Sequence, residues 1–263
     1  MFSKFFPNFK VSPFVASAAI ASAALAMASM GTITASASVI YSDSFTGTAT
    51  TTLNGSTPTI DNGTSSKWTG ASPFMDNGTV STYSNDVSAY LSFAPASGHI
   101  YQLAADLNPN LSGSTLNSAL EIGFIGSPNT NLALGANGPG YAWAEVRTDT
   151  NSIFYAGPGS FGNHYYAGSS TGSTTVSILL NTTPTLWTYQ FTVDGTTLSS
   201  PAAFTSNPPI TAVGLGALGS STINGTFSNF SLTESSVPEP ASLGLLAVGV
   251  LGLYLLLGKR HRV

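Results

Sequence analysis

The sequence contains no cysteine and very little charge. Without thiols there is no disulfide framework, no cysteine-bearing zinc site, no iron–sulfur cluster and no thiol catalysis. Only 7% of the 263 residues are charged, 7 Lys plus Arg against 11 Asp plus Glu, where an ordinary globular domain carries roughly a quarter. Cations this sparse cannot neutralise a phosphate backbone, which excludes nucleic acid as a partner. Helix signals are almost missing as well. The chain instead offers serine, threonine, glycine and short apolar runs.

These materials are unevenly distributed. Residues 1–37 read as a signal peptide: Lys4 and Lys10 form a positive start, Val11 to Met30 is apolar and uncharged, and Ala35-Ser36-Ala37 supplies the small-residue pattern for cleavage after Ala37. A retained N-terminal anchor is the alternative. Near the other end, Ala241 to Gly258 is an uncharged run of 18 residues, followed by the basic tail 259–263. As a helix this run spans roughly 27 Å, close to the hydrocarbon thickness of a bilayer, so 241–258 is expected to be a transmembrane helix. Basic flanks stay cytoplasmic, which puts the bulk of the chain on the opposite side.

The order Val237-Pro238-Glu239-Pro240, apolar span, basic cluster resembles the PEP-CTERM sorting signal of Gram-negative bacteria. The resemblance covers 237–263 and implies that Pro238, Glu239 and Pro240 are read by an exosortase after the general secretion machinery has moved the chain across the inner membrane. The membrane anchor would then be transient, and the product a cell-surface or extracellular protein of the biofilm matrix. A plain single-span anchor with a proline-rich hinge would use the same residues.

Between these ends lies the expected exported domain, 38–236. It retains two basic residues, Lys67 and Arg147, and ten acidic ones, a formal charge of −8. Such a surface repels acidic polymers and suits neutral sugars or divalent cations. Solubility rests on hydroxyls, with 61 Ser plus Thr in 199 residues. Apolar or alternating runs at 39–45, 89–93, 100–107, 120–125, 141–147, 153–156, 175–180, 186–193, 210–218 and 226–233 predict strands. Asn54-Gly55, Asn62-Gly63, Asn77-Gly78, Asp194-Gly195 and Asn224-Gly225 predict tight turns. In 187–193, Trp187, Tyr189, Phe191 and Val193 alternate with polar residues, the mark of a half-buried antiparallel strand. The fold class is therefore all-β, an antiparallel β-sandwich. The landmarks YSDSFTG from Tyr41, VRTDTNSIFY from Val146, WTYQFTVDGTTL from Trp187 and TFSNFSLT from Thr226 make it similar to the concanavalin A-like, laminin-G-like jelly roll. The closing Ser-Asn-Phe departs from the more usual Val-Asp-Asn-Phe.

Catalytic patterns fare poorly. GPGSFG from Gly157 and GLGALG from Gly214 match a dinucleotide fingerprint, but neither leads into a helix. GSSTG from Gly168 lacks the strand and helix of a nucleophile elbow. Glycoside hydrolysis needs two carboxyl groups. The glutamates Glu121, Glu145 and Glu234 show none of the E-x-D-x-x-E spacing of jelly-roll glucanases, although acids from separate strands can still converge. His99 and His164 stand alone. No cofactor is expected; sandwiches of the resembled type often bind calcium, for which Asp43 and Asp194 are the candidates, although an aspartate in a hairpin turn is usually just a turn former. In YAWAEVR, period-two spacing places Tyr141, Trp143, Glu145 and Arg147 on one face, with Tyr155, Tyr165 and Tyr166 following on a Gly-rich segment. Aromatic rings beside a carboxylate and a guanidinium are the groups that hold sugars; the same residues also suit a core with an ion pair at its rim. The expectation is a non-catalytic exported protein that binds neutral polysaccharide. A glycan-cleaving enzyme and a purely structural matrix component remain the alternatives.

Overall fold

The computed structural model describes residues 36–82, 86–109, 119–135, 140–147, 152–156, 166–167, 172–198, 200–218 and 223–236. The expected signal peptide, the span 241–258 and the basic tail lie outside them. The described residues all fall within one compact unit, Ser36–Val237. Among the described residues there are strands and no helix, and so no helix able to cross a membrane.

In chain order the strands are β1 (Ala37–Asp43), β2 (Ile60–Asp61), β3 (Thr69–Gly70), β4 (Thr79–Thr82), β5 (Val87–Ser92), β6 (His99–Pro109), β7 (Ala119–Ile125) and β8 (Gly140–Arg147). They continue with β9 (Ser152–Ala156), β10 (Tyr166–Ala167), β11 (Thr174–Asn181), β12 (Thr188–Val193), β13 (Thr196–Thr197), β14 (Ala202–Ala203), β15 (Ala212–Leu218) and β16 (Ile223–Ser236). A nine-stranded sheet runs β13-β12-β11-β6-β16-β1-β2, with β14 on β12 and β4 on β16. A seven-stranded sheet runs β10-β9-β8-β7-β15-β5-β3. The strand pairings are antiparallel throughout.

Alternation decides which side chains meet. In β11, Val176, Ile178 and Leu180 are buried; in β6, so are Tyr101, Leu103, Ala105 and Leu107. Register aligns Phe191, Ile178, Leu103, Leu232 and Tyr41 as one apolar row across β12, β11, β6, β16 and β1. Ala89, Leu215, Ile122 and Ala144 form such a row across β5, β15, β7 and β8. Both rows belong to a single buried cluster, the core between the sheets. Each fully buried large side chain there contributes about 1.5–3 kcal/mol.

Turn chemistry follows the sequence at four of the five expected sites. Gly55, Gly63, Gly78 and the pair Asp194-Gly195 all have positive φ. The fifth does not turn: Asn224-Gly225 lies within β16, paired with Ser81 and Val80. A Cβ on Gly225 would come within 2.8 Å of the Leu120 side chain, so this glycine serves close packing between the sheets. Further along β16, Phe227 and Phe230 are both buried although three residues apart. A bulge between Ser228 and Ser231, with Asn229 at φ 51°, makes this possible.

Gly55 and Gly78 separate backbone strain from collision. A Cβ on Gly55 meets nothing within 4 Å, whereas one on Gly78 falls 2.1 Å from the Phe227 carbonyl oxygen. Gly55→Ala should cost about 1–2 kcal/mol, the left-handed penalty of a residue with a side chain. Gly78→Ala should cost at least about 2 kcal/mol more, because backbone has to move. Urea denaturation of the two variants reads the difference.

Candidate functional site on the outer face of the seven-stranded sheet

Strand β7 reads ALEIGFI and is buried along its whole length. Leu120, Ile122 and Phe124 face the inter-sheet core. The other set, Ala119, Glu121, Gly123 and Ile125, belongs to the outer face, where register sets Glu121 directly opposite Glu145 of β8 and Gly123 opposite Trp143. The segment 126–135 covers this face. Leu134 joins Ile125, Trp143 and Ala212 in a second apolar cluster, with Tyr90 packed against it.

Glycines make that cover possible. A Cβ on Gly216 would lie 2.4 Å from Glu121 Oε2, and one on Gly135 would lie 2.8 Å from Glu121 Oε1. Gly140 gives the same clearance to the Trp143 ring, 2.9 Å from a Cβ. The covering segment is also tied down at its start: Ser88 Oγ donates to the Asn129 carbonyl at 2.9 Å, and the Ser88 amide donates to the Thr130 carbonyl at 3.0 Å.

Beneath the cover, Glu121 has no exposed surface. Its Oε2 accepts the Leu134 amide at 2.5 Å. Burial pushes its carboxyl well above the usual range, and the facing Glu145 carboxylate and Asp86 push the same way, against the amides of Leu134 and Gly135. Glu145 is buried and pairs with Arg147, Nε to Oε1 3.1 Å. The arrangement is a buried acid that favours its protonated form, facing a carboxylate paired with a guanidinium.

The residues expected to bind sugar are thus only partly together. Trp143, Glu145 and Arg147 share the outer face, but Trp143 is just 6% exposed, whereas stacking on a sugar needs an open ring face. Tyr141 does not share that face. A bulge pairs Ile125 with Gly140 and Phe124 with Ala142, so the alternation breaks at Tyr141, and its ring packs against the inter-sheet cluster. Tyr155 is at the register position opposite Ala144, and Tyr166 opposite Ile153. Tyr165 lies outside the described residues, as do the motif residues Pro238, Glu239 and Pro240.

The two aspartates expected to bind calcium are engaged by the protein itself. Asp43 Oδ2 accepts the Trp68 indole N–H at 2.7 Å, and Oδ1 accepts the Phe45 amide at 2.9 Å. Burial raises its carboxyl above the ordinary range, with those donors opposing. Asp194 occupies a turn, and its Oδ1 accepts the Thr175 amide at 2.9 Å. Among the described residues, no three His, Asp or Glu side chains gather into a metal-binding group.

One open feature borders the covered face. A cleft of about 740 Å³ is lined by Ala71, Ser72, Pro73, Asp86, Val87, Thr130 and Asn131. Hydroxyl, amide and carboxylate line it, and no cation does. The sequence reading weighed Glu121 only against the glucanase spacing and did not single out Asp86 or Asn131. For Glu121 a signal was available: one acid inside an otherwise apolar seven-residue strand is costly unless it has a purpose.

Comparison with known proteins adds two facts. Residues 236–260 match the family described as the PEP-CTERM protein-sorting motif. The chain carries a PEP-CTERM sorting signal. That motif implies export and membrane-anchored sorting in Gram-negative bacteria. In solved structures, an endo-1,3-beta-glucanase from Streptomyces sioyaensis shares the fold, at TM-score 0.50 and 14% identity over 76% of this chain and 97% of that one. The carbohydrate recognition domain of Emp47p gives TM-score 0.44 at 14% identity over 76% and 96%, and alginate lyase Aly36B gives 0.37 at 17% over 59% and 79%. At such identity the likeness is one of fold alone. No curated protein matches the sequence.

The raised carboxyl fixes a pH dependence. Folded Glu121 keeps a proton that the unfolded chain releases above the ordinary value near 4.5. Its contribution is fully present below that pH and is lost as pH rises towards the raised value. Glu121→Gln should therefore flatten the fall in stability as pH rises above about 4.5, and be the more stable protein at the alkaline end. Glu121→Ala should lose about 1–3 kcal/mol at acidic pH by orphaning the Leu134 amide, and less as pH rises. Thermal melts across pH check both.

Proposed function

We propose that this chain is an exosortase-sorted cell-surface or matrix protein whose exported sandwich binds neutral polysaccharide and does not cleave it. The sorting motif at 236–260 supports the address. The seal over the acid pair carries the non-catalytic half. Leu134 and Gly135 sit directly on the Glu121 carboxyl, where a glycosidic oxygen would have to arrive to be protonated.

The cleft beside the seal supports the binding half. Ser72, Thr130 and Asn131 offer neutral donors and acceptors, and Asp86 adds a carboxylate, a set that suits sugar hydroxyls. Acidic polymers are disfavoured by the ten acids of 38–236 against two bases. Calcium at Asp43 or Asp194 is not required by this reading. The transient anchor and the signal peptide are parts of the same proposal.

A glycan-cleaving reading has one observation in its favour. Glu121 and Glu145 face each other across β7 and β8, and burial favours the protonated form of Glu121, as an acid and its partner carboxylate are arranged in glycosidases.

The processed protein should be retained on a neutral polysaccharide such as laminarin or galactomannan, with and without chelator, and release no reducing ends. Asp86→Asn or Asn131→Ala should weaken retention about tenfold, the effect of one lost hydrogen bond to a charged or amide group. Release of reducing ends that disappears in Glu145→Gln would establish the enzyme instead. Failure to bind any neutral glycan would leave a purely structural matrix protein. Separately, replacing Pro238, Glu239 and Pro240 with alanine should hold the precursor in the inner membrane; fractionation and immunoblotting would show an undiminished surface pool if the sorting reading is wrong.

A further inference from the structure

The sheet and the sorting signal meet at one residue. Ser236 is both the last residue of β16 and the first of the matched motif, and Val237 alone separates it from Pro238. The end of β16 is not loose. Ser236, Ser235 and Glu234 pair with His99, Ile100 and Tyr101 of β6 on one side. On the other side, Ser235 and Glu234 pair with Ala37 and Ser38 of β1.

Side chains lock these rungs. Glu234 Oε1 lies 2.7 Å from His99 Nδ1 and accepts the Tyr101 hydroxyl at 3.2 Å. The Tyr101 oxygen in turn accepts the Ala96 amide at 2.9 Å. The His99 and Tyr101 rings stack at 6.0 Å. Thr182 fastens the start of β6, with its Oγ1 accepting the His99 amide at 3.0 Å and its own amide donating to the His99 carbonyl at 2.8 Å. Tyr101 is buried, and its hydroxyl is pushed up to about 12 by that burial, so it stays a donor.

An enzyme that opens a peptide bond binds its substrate as an extended strand, through backbone groups on both sides of the bond. In this chain the backbone before Val237 is already committed to two neighbouring strands. We propose that the His99–Glu234–Tyr101 clamp restrains processing of the sorting signal, by keeping Glu234, Ser235 and Ser236 in the sheet and out of the reach of the membrane enzyme. This rests on the sorting reading above. Opening one peptide bond there leaves an amine on the tail fragment and passes the acyl carbon to water or to an acceptor amine; the clamp takes no part in that step. It is a positioning device, because it governs how much unpaired chain precedes the bond.

The same geometry gathers both ends of the exported domain. Ala37, the expected last residue of the signal peptide, is opposite Ser235. Ala37 and Ser236 therefore lie on adjacent strands, at the same end of the larger sheet.

The test follows the full-length chain in a Gram-negative host that carries an exosortase, with the rate of tail loss read by pulse-chase. Glu234→Ala should speed tail loss about fivefold, since it removes the bonds holding two rungs. A four-residue Gly-Ser spacer inserted after Ser236 should give a similar gain with the clamp intact, and combining the two should add little more. Val193→Ala, a core change far along β12, should leave the rate alone. Unchanged or slower loss in both the Glu234 and the spacer variants overturns the proposal, and so does an equal gain in Val193→Ala, which would reduce the effect to general stability. A wild-type chain that never loses its tail would instead overturn the sorting reading itself.

Discussion

A strand buried on both faces needs three layers, and β7 is such a strand. The nine-stranded sheet covers one side. The other must be covered from within the chain, and the residues that follow β7 at once, 126–135, do this by folding back across β5, β7 and β8. That return demands glycine wherever the covering segment approaches the sheet, at Gly135, Gly140 and Gly216. It also demands that the acid in the middle of β7 shed its charge. An ionised Glu121 opposite Glu145 would be two like charges with one guanidinium between them, away from water. Burial favours a retained proton, and the Leu134 amide supplies a donor to Oε2. Burial of β7, the glycines of its neighbours and the neutrality of Glu121 are one constraint expressed three times.

Much of this architecture was legible, because sheets report themselves through alternation. Val176, Ile178 and Leu180, or Phe191 and Val193, could only fill a core once their period was recognised, and asparagine or aspartate before glycine announced most of the turns. What stayed hidden was set by contact between distant segments. Asn224-Gly225 has the local chemistry of a turn, yet β4 and β6 capture it as strand because its missing side chain makes room for Leu120. Tyr141 falls off the face that period two assigns to it because one bulge intervenes. Trp143 suited an open platform and a core equally, because nothing local discloses that Leu134 will lie against it. The acid pair was invisible for the same reason: its members are 24 positions apart in sequence and adjacent only through register.

Scarcity of charge gives each ionic group unusual weight. Arg147 is committed to Glu145, and His99 to Glu234. Asp43, where a cation was expected, instead anchors Trp68, whose ring packs against Phe45 and Phe230. With the Tyr41–Ser66 hydroxyl contact and the backbone bonds of Asn62 and Gly55, that hydrogen bond ties the excursion from β1 through β2 to β3 onto the core. Acids in this chain therefore work mainly as hydrogen-bond acceptors that fix loops to sheets, a use that survives changes of ionic strength better than surface ion pairs do.

The borders of the two sheets carry a last implication. β2, β13 and β14 at the edges of the larger sheet, and β3 and β10 at the edges of the smaller, are each only two residues long. A longer border would present a row of free amides and carbonyls on which a neighbouring copy could extend the sheet. Where these short strands form the border among the described residues, a neighbouring copy finds only two residues on which to extend the sheet.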